Sequence, residues 1–192
     1  MSRRTSPARS AARAVSIALI VAALSACAVW TRIDTATQEG PGNRYSVQAP
    51  IGWVRFSAAQ DGIVITRDGM QIQHIVVMQK KDEEFFKKTK AKLPKAVMPS
   101  DLAQLVLAEL RSDPELSDLE VKEIAPYSIG AQAGFRVHLQ FRNGRGALFD
   151  RVLIGAAREQ TLTLMSYHAL NTHYFARDVE TFYKVASSFK AT

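Results

Sequence analysis

The alternation of apolar and polar side chains predicts a domain built mainly of strands. In the clearest run, residues 135–142, apolar side chains occupy the odd positions and polar ones the even positions, which places one face toward a core and the other toward water. Turns are predicted at Asn143-Gly144 and Arg158-Glu159-Gln160. Residues 135–142, 147–156 and 161–167 should therefore form three consecutive antiparallel strands.

Earlier in the chain, weaker patterns predict further strands. Apolar residues alternate with polar ones over 45–49, which indicates a half-buried strand. Asp68-Gly69 lies between two β-branched runs, residues 63–66 and 71–78, and is typical of a hairpin because glycine accepts a positive φ. Leu119 and Val121 indicate a short strand.

Three segments are predicted to be helical. Residues 80–90 place acids before lysines, an order that suits the helix dipole. A second helix should begin with Ser100 as its N-cap and end at Ser112-Asp113-Pro114. A closing helix over 172–188, capped by Asn171 or Thr172, should bury an aromatic stripe of Phe175, Val179, Phe182, Ala186 and Phe189. The predicted fold class is α+β, an antiparallel sheet with helices packed on it.

Four of these features together resemble the PsbP-like α/β/α sandwich. They are the opening Tyr45-x-Val47-x-Ala49-Pro50-x-Gly52-Trp53, the hairpin, the Gly134-Phe135 strand with its meander, and the closing helix that ends in Ser187-Ser188-Phe189. The resemblance implies a binding or assembly factor without a shared catalytic site. It is an analogy of fold, which does not fix function.

The N-terminus has the pattern of an export signal. Four arginines and no acid precede an apolar run over 14–23, as in secretory signal peptides. Leu24-Ser25-Ala26-Cys27 then resembles the lipobox of bacterial lipoproteins. That resemblance implies cleavage between Ala26 and Cys27, a diacylglyceryl group on the Cys27 thiol and an acyl chain, such as palmitate, on the new amino group.

Three regions follow from this interpretation: a signal peptide over 1–26, a lipidated cysteine with a flexible tether over 27–43, and a single domain over 44–192. Within the tether, Trp30 would lie either at the level of the lipid headgroups or in an ordinary linker. Two alternatives for the N-terminus stay open. One is an uncleaved membrane helix, since the uncharged stretch from Arg13 to Arg32 reaches the lower limit for spanning. The other is an ordinary secretory signal with a chance cysteine.

The charge and the cysteine content of the chain argue against some classes of function. The whole chain carries a net charge of +7 from 25 basic and 18 acidic residues, but four arginines lie within residues 1–26 and no acid does, which leaves 21 − 18 = +3. This small excess and the export signal argue against a nucleic-acid partner. Cys27 is the only cysteine, so once it is lipidated no thiol remains for a disulfide, a nucleophile or a metal.

No catalytic motif is present, and no cofactor or metal is predicted. His74 is expected to lie in the core, and His138 to be exposed or at a seam between the sheet and a helix. A candidate ligand cleft would place Trp53 beside the stretch that holds Tyr167, His168, His173 and Tyr174. The alternative is that this stretch is only a strand end and a capped helix start.

The sequence as a whole predicts a lipid-anchored bacterial envelope protein that faces the periplasm and serves as a binding or accessory module. Ala28 in place of aspartate after Cys27 resembles sorting to the outer membrane. The predicted partners are membrane lipid, through the acyl chains on Cys27, and an envelope protein. The protein is not expected to be an enzyme. The alternatives are an envelope enzyme with an unrecognised site and a structural protein held by an uncleaved helix.

Overall fold

An eight-stranded antiparallel sheet forms the centre of the structure, a computed structural model that describes residues 29–192. The strands are, in chain order, β1 (Trp30–Arg32), β2 (Thr37–Glu39), β3 (Tyr45–Gln48), β4 (Val54–Phe56), β5 (Ile63–Thr66), β6 (Gln73–Lys81), β7 (Ser117–Ile129), β8 (Gln132–Arg142), β9 (Leu148–Arg158), β10 (Thr161–Leu170) and β11 (Lys190–Ala191). The large sheet has the order β1-β4-β5-β6-β10-β9-β8-β7, and a small sheet has the order β11-β3-β2. The predicted signal peptide and Cys27 lie outside the described residues.

Helices cover both faces of the large sheet. They are α1 (Asp82–Phe85), α2 (Pro99–Arg111) and α3 (Tyr174–Ser187), with one 3-10 turn at Pro41–Asn43. On one face α2 packs Leu102 and Val106 against Leu139 of β8. On the other, α3 packs Phe182 against Tyr167 of β10, beside the small sheet. The predicted α+β class, an antiparallel sheet with helices packed on it, is confirmed.

The predicted meander and hairpin are both present. Strands β8, β9 and β10 pair consecutively and antiparallel, and β10 pairs with β6, which joins the meander to the hairpin of β5 and β6. The strand predicted at Leu119 and Val121 is longer than expected, because β7 runs over 13 residues. Pro126 is tolerated within it because β7 is an edge strand.

The predicted tether over 27–43 is wrong for its described part. Strand β1 pairs with β4, and β2 pairs with β3. Between them Ile33 is only 2% exposed, and its N–H donates to the carbonyl of Trp53 at 2.8 Å. The folded unit therefore begins near Trp30 and not at residue 44. Trp30 itself is exposed and its ring lies 4.9 Å from that of Phe56.

The helix predicted over 80–90 is reduced to the single turn α1. Lys80 and Lys81 pair with β10 instead and extend β6. The buried carboxylate of Asp82 accepts hydrogen bonds from the N–H groups of Glu83, at 2.8 Å, and Leu93, at 2.9 Å. These contacts fold the chain after Phe86 into a loop, because tertiary pairing outweighs a weak local helix preference.

The predicted caps of the two longer helices are also wrong. Helix α2 begins at Pro99 with Met98 at the N-cap position, since proline at the first helical position needs no N–H partner. Helix α3 begins after His173 without a side-chain cap. Asn171 donates its amide to the buried carboxylate of Asp150 instead.

No helix within residues 29–192 is long and apolar enough to span a bilayer.

Candidate functional site

A cavity of about 520 Å³ opens where three connections meet above one end of the large sheet. The connections are those from β5 to β6, from α2 to β7 and from β8 to β9. The side chains of Phe141, Phe149 and His168 lie at the strand level, and the remaining lining residues come from the connections: Met70, Gln71, Glu115, Leu116, Asn143, Gly144 and Arg145.

A polar row crosses the sheet at the cavity. In register, His168 of β10 lies directly opposite His74 of β6 on one side and Arg151 of β9 on the other. Directly opposed residues of antiparallel strands project from the same face. Because Arg151 also pairs with Leu139, which belongs to the core under α2, the row lies on the α2 face.

Hydrogen bonding fixes the protonation of the two imidazoles. The Nη2 of Arg151 donates to Nδ1 of His168 at 2.9 Å, and a guanidinium can only donate. His168 therefore carries its proton on Nε2. In His74, Nδ1 lies 3.1 Å from the carbonyl of Met70, which can only accept, so the proton is on Nδ1. The two rings stack with centroids 4.7 Å apart.

Both imidazoles are neutral at physiological pH. Burial, together with the charge of Arg151, lowers the pKa of His74 to about 4. Burial, Arg151 and the neighbouring His74 lower the pKa of His168 to about 2. His168 also lies against the ring of Phe149 at 4.3 Å. These neutral rings make the row a hydrogen-bonding surface and not a proton-transfer pair.

Arg151 is the charged member of the row. Its guanidinium carbon lies 4.9 Å from the ring centroid of Phe141, and its Nε is buried without a hydrogen-bond partner among the described residues. Burial lowers its pKa to about 10, which leaves it protonated at neutral pH. The carboxylate that most affects it, Asp113, is itself paired with Lys88 at 2.8 Å.

The structure does not bring the five residues of the candidate cleft together. Tyr167 and His168 are neighbours in one strand, so their side chains point to opposite faces of the sheet. Tyr167 donates its hydroxyl to the carbonyl of Tyr174 at 2.7 Å on the α3 side, where the His173 and Tyr174 rings are 5.6 Å apart. Trp53 is 7% exposed in that same core. His168 alone reaches the cavity on the other face.

The two remaining histidine predictions have different outcomes. His138 lies at a seam with α3, as predicted, where Nε2 is 2.8 Å from Oδ1 of Asp150 and the ring stacks on Phe175 at 5.2 Å. His74 is half-buried beside the cavity and does not lie in the hydrophobic core. Within residues 29–192, no three His, Cys, Asp or Glu side chains come together in a way that could hold a metal ion.

Sequence reasoning missed Arg151, Phe141 and Phe149 as site residues. A signal was present, since Arg151 is the single cation between the apolar residues of β9. An arginine within an apolar strand needs an explanation, because charged residues are seldom placed in such surroundings without a partner.

No protein-family model matches this chain, and no curated protein sequence matches it. Solved structures do resemble it. The solution structure of cyanobacterial PsbP (CyanoP) from Synechocystis sp. PCC 6803 has a TM-score of 0.52 and 13% identity, and the match covers 86% of this chain and 94% of that chain. The Ran-binding protein Mog1p of Saccharomyces cerevisiae has a TM-score of 0.52 and 12% identity, with 84% and 96% covered.

A crystal structure from Bacteroides thetaiotaomicron overlaps less, with a TM-score of 0.49, 12% identity and 83% of this chain covered. The match covers 49% of that protein, so this chain spans about half its length. The likeness to CyanoP and Mog1p shows that the chain has the PsbP/Mog1-like fold. At these identities it shows the fold alone.

Proposed function

We propose that this protein is a non-enzymatic binding module, anchored by lipid on Cys27 to the outer membrane of a bacterium and facing the periplasm. The cavity above His168 carries the binding part of the proposal. A concave site with an aromatic base and a few convergent polar groups is the usual form of a small-molecule site, and this cavity combines Phe141 and Phe149 with His168.

The chemistry of the cavity favours binding over catalysis. No serine, threonine, cysteine, lysine or tyrosine lines it, and its one carboxylate, Glu115, is exposed. A general base works best when its pKa lies near the working pH. The pKa values of His168 and His74, about 2 and about 4, are far below that range. The two imidazoles are therefore better suited to hydrogen bonding with a ligand than to proton transfer.

The N-terminal sequence supports the anchor. The lipobox-like Leu24-Ser25-Ala26-Cys27 puts the cysteine only three positions before Trp30, where β1 begins. Three extended residues span roughly 10 Å. A lipid on Cys27 would therefore hold the domain directly against the bilayer, with the exposed ring of Trp30 at a depth where indoles partition well.

The anchor is tested by intact-mass analysis of the full chain extracted from membranes. Wild type is expected to begin at Cys27 and to carry acyl mass. Cys27→Ser should remain uncleaved and unacylated, because a hydroxyl does not replace the thiol in diacylglyceryl transfer. Ala28→Ser, one position further on, keeps the cysteine and should still be processed. A wild-type chain that begins at Met1 or Ser2 without acyl mass would contradict the lipid anchor and favour an uncleaved membrane helix.

The binding role is tested by titrating the full chain, labelled with 15N-histidine, with neutral and charged aromatic fragments. At least one fragment should shift the imidazole signal of His168 in a saturable way. The signal of His138, on the opposite face of the sheet, serves as an internal control and should not move. If no fragment of either kind moves the His168 signal, the cavity is not a binding site.

A further inference from the structure

Arg151 is a half-buried cation for which the described residues provide no counter-ion. No carboxylate within residues 29–192 forms an ion pair with it, and its guanidinium has one hydrogen-bond acceptor there, Nδ1 of His168. A guanidinium has five N–H donors, and a buried charge is costly unless it is paired and hydrogen-bonded. The contact with the Phe141 ring offsets part of that cost. The charge of Arg151 is thus left largely uncompensated.

The neighbouring acids do not neutralise it. Asp113 acts on Arg151 electrostatically, but its carboxylate forms its ion pair with Lys88, at 2.8 Å. Glu115 lines the cavity from the exposed rim, where Arg145 stands as a second cation. Arg145 and Glu115 carry opposite charges, so the residues that line the cavity have no net charge, and the positive charge of Arg151 lies behind His168.

His168 connects that charge to the cavity. Its Nδ1 accepts from Arg151, so its Nε2–H is a donor polarised by the guanidinium, and this residue lines the cavity. Asn143 adds a second donor, because its Oδ1 already accepts from the N–H groups of Arg145 and Ala147, both at 3.0 Å, and leaves its NH₂ group for a ligand. Both groups offer protons, which fits an acceptor-only ligand group.

The aromatic side chains define the rest of the ligand. Phe141 and Phe149 stack on each other at 5.8 Å and line the cavity next to His168. A volume of about 520 Å³ lies within the range for small-molecule sites. The site therefore combines an apolar surface with donors backed by a positive charge.

We propose that this cavity binds a small organic anion, a carboxylate or phosphate monoester with an apolar body, with His168 and Asn143 donating to the anionic group and Arg151 supplying the balancing charge. This inference rests on the proposed binding role of the cavity and specifies its ligand class. Charge-assisted hydrogen bonds of this kind are roughly twice as strong as neutral ones.

Pairs of probes that differ only in charge test the proposal on the full chain. Benzoate is compared with benzamide, and phenyl phosphate with phenol, by isothermal titration at low and high salt. Each anion should bind at least about tenfold more tightly than its neutral counterpart. A tenfold difference in affinity corresponds to about 1.4 kcal/mol. The preference should shrink as salt rises, because salt screens the charge.

Substitutions of Arg151 test whether its charge causes the preference for the anionic probes. Arg151→Met keeps the length of the side chain without its charge and should abolish the preference for the anions, whereas Arg151→Lys should keep part of it. Arg158→Met is the matched control, since Arg158 is exposed at the β9–β10 turn beside Glu159. Should Arg151→Met not fold, the Nε–H signal of Arg151 in 15N-arginine-labelled wild type replaces it, and benzoate should shift that signal while benzamide should not.

The outcomes separate this inference from the proposed function. Equal binding of benzoate and benzamide, or a preference that survives in Arg151→Met, would overturn the anion inference and leave the binding role in place. Failure of all four probes would overturn both. Competition then distinguishes two sources of the phosphate chemistry: displacement of phenyl phosphate by dihexanoylphosphatidylglycerol indicates a lipid headgroup, and displacement by inorganic phosphate alone indicates a free anion.

Discussion

The guanidinium of Arg151 and the imidazole of His168 are joined by a hydrogen bond of 2.9 Å that can run in one direction only. Because arginine has no acceptor, His168 must stay unprotonated on Nδ1 for the bond to exist. A second proton on His168 would break this bond and place two cations side by side. The pair thus makes the cationic form of His168 the least favourable state of the site.

Acidification from pH 7 to pH 5 should destabilise the wild type through the two half-buried imidazoles of the site. The folded pKa values of His74 and His168, about 4 and about 2, lie below the ordinary value of 6.5. As the pH falls, the unfolded chain therefore takes up protons before the folded chain does. The stability that the two neutral imidazoles contribute is complete above pH 6.5 and is lost as the pH falls below that value. Each group adds a slope of up to about 1.4 kcal/mol per pH unit.

Urea denaturation at pH 7, 6 and 5 measures this slope. The double variant His74→Gln/His168→Gln should show a smaller loss over that range. Carboxylates with lowered pKa values, such as Asp68 and Glu109, have ordinary values of 3.8 and 4.5 and contribute at lower pH. Parallel profiles for wild type and the double variant would contradict the assignment of the slope to these imidazoles.

Phe182→Ala should lower the free energy of unfolding by roughly 3–5 kcal/mol. Phe182 of α3 is fully buried, and its ring lies 6.0 Å from that of Tyr167. The denaturation midpoint measures the effect. Ile51→Ala is the control, because Ile51 is 65% exposed. A midpoint that Phe182→Ala leaves unchanged would be incompatible with the packing of α3 on the sheet.

Ile33→Ala distinguishes a folded N-terminal segment from a tether. Ile33 is 2% exposed, so its truncation should cost about 2–5 kcal/mol, whereas a residue in a flexible tether would cost nothing. Val29→Ala, at an exposed position one residue before β1, is the control. If Ile33→Ala and Val29→Ala give the same unfolding curve, residues 30–43 are a flexible linker and not part of the folded unit.

Glu109→Gln should loosen the loop that follows α1. The Glu109 carboxylate accepts from the N–H groups of Lys88 and Thr89, each at 2.9 Å, and from the Thr89 hydroxyl at 2.7 Å. An amide offers only one oxygen, so a partner is left unmet at a cost of about 1–3 kcal/mol.

Hydrogen exchange of the amides of residues 88–93 measures that loosening. Exchange should accelerate in Glu109→Gln and stay at the wild-type rate in Glu84→Gln, because Glu84 is an exposed residue of α1. Unchanged protection in Glu109→Gln would show that other contacts hold the loop.

The strands that the sequence predicts well are those with a strong local pattern. Over residues 135–142 the alternation itself marks the buried face, and Phe135 and Phe141 are both 1% exposed as a result. Segments whose structure depends on distant pairing were predicted less well. Lys80 and Lys81 belong to a strand because of their partners in β10, and Trp30–Arg32 forms a strand because β4 lies beside it.

The candidate site could not be predicted for the same reason. His74, Arg151 and His168 become neighbours only through the register of three strands, and β6 is far in the sequence from β9 and β10. A shift of one residue in either pairing would reverse which side chains share a face. The sequence predicted His168 in a candidate cleft or at a strand end, but the register decided which side chains share its face of the sheet.

The position of β1 determines how the domain responds to mechanical load. Force applied at Val29 acts first on β1, and this edge strand pairs through three residues with β4 alone. It can peel away without breaking any other strand pair, and it lengthens the connection by roughly 3.3–3.6 Å per residue released. Ile33 then resists, through its buried side chain and its bond to Trp53. The first strand is thus the weakest element along the pulled chain, and it yields while the core beyond Ile33 is still folded.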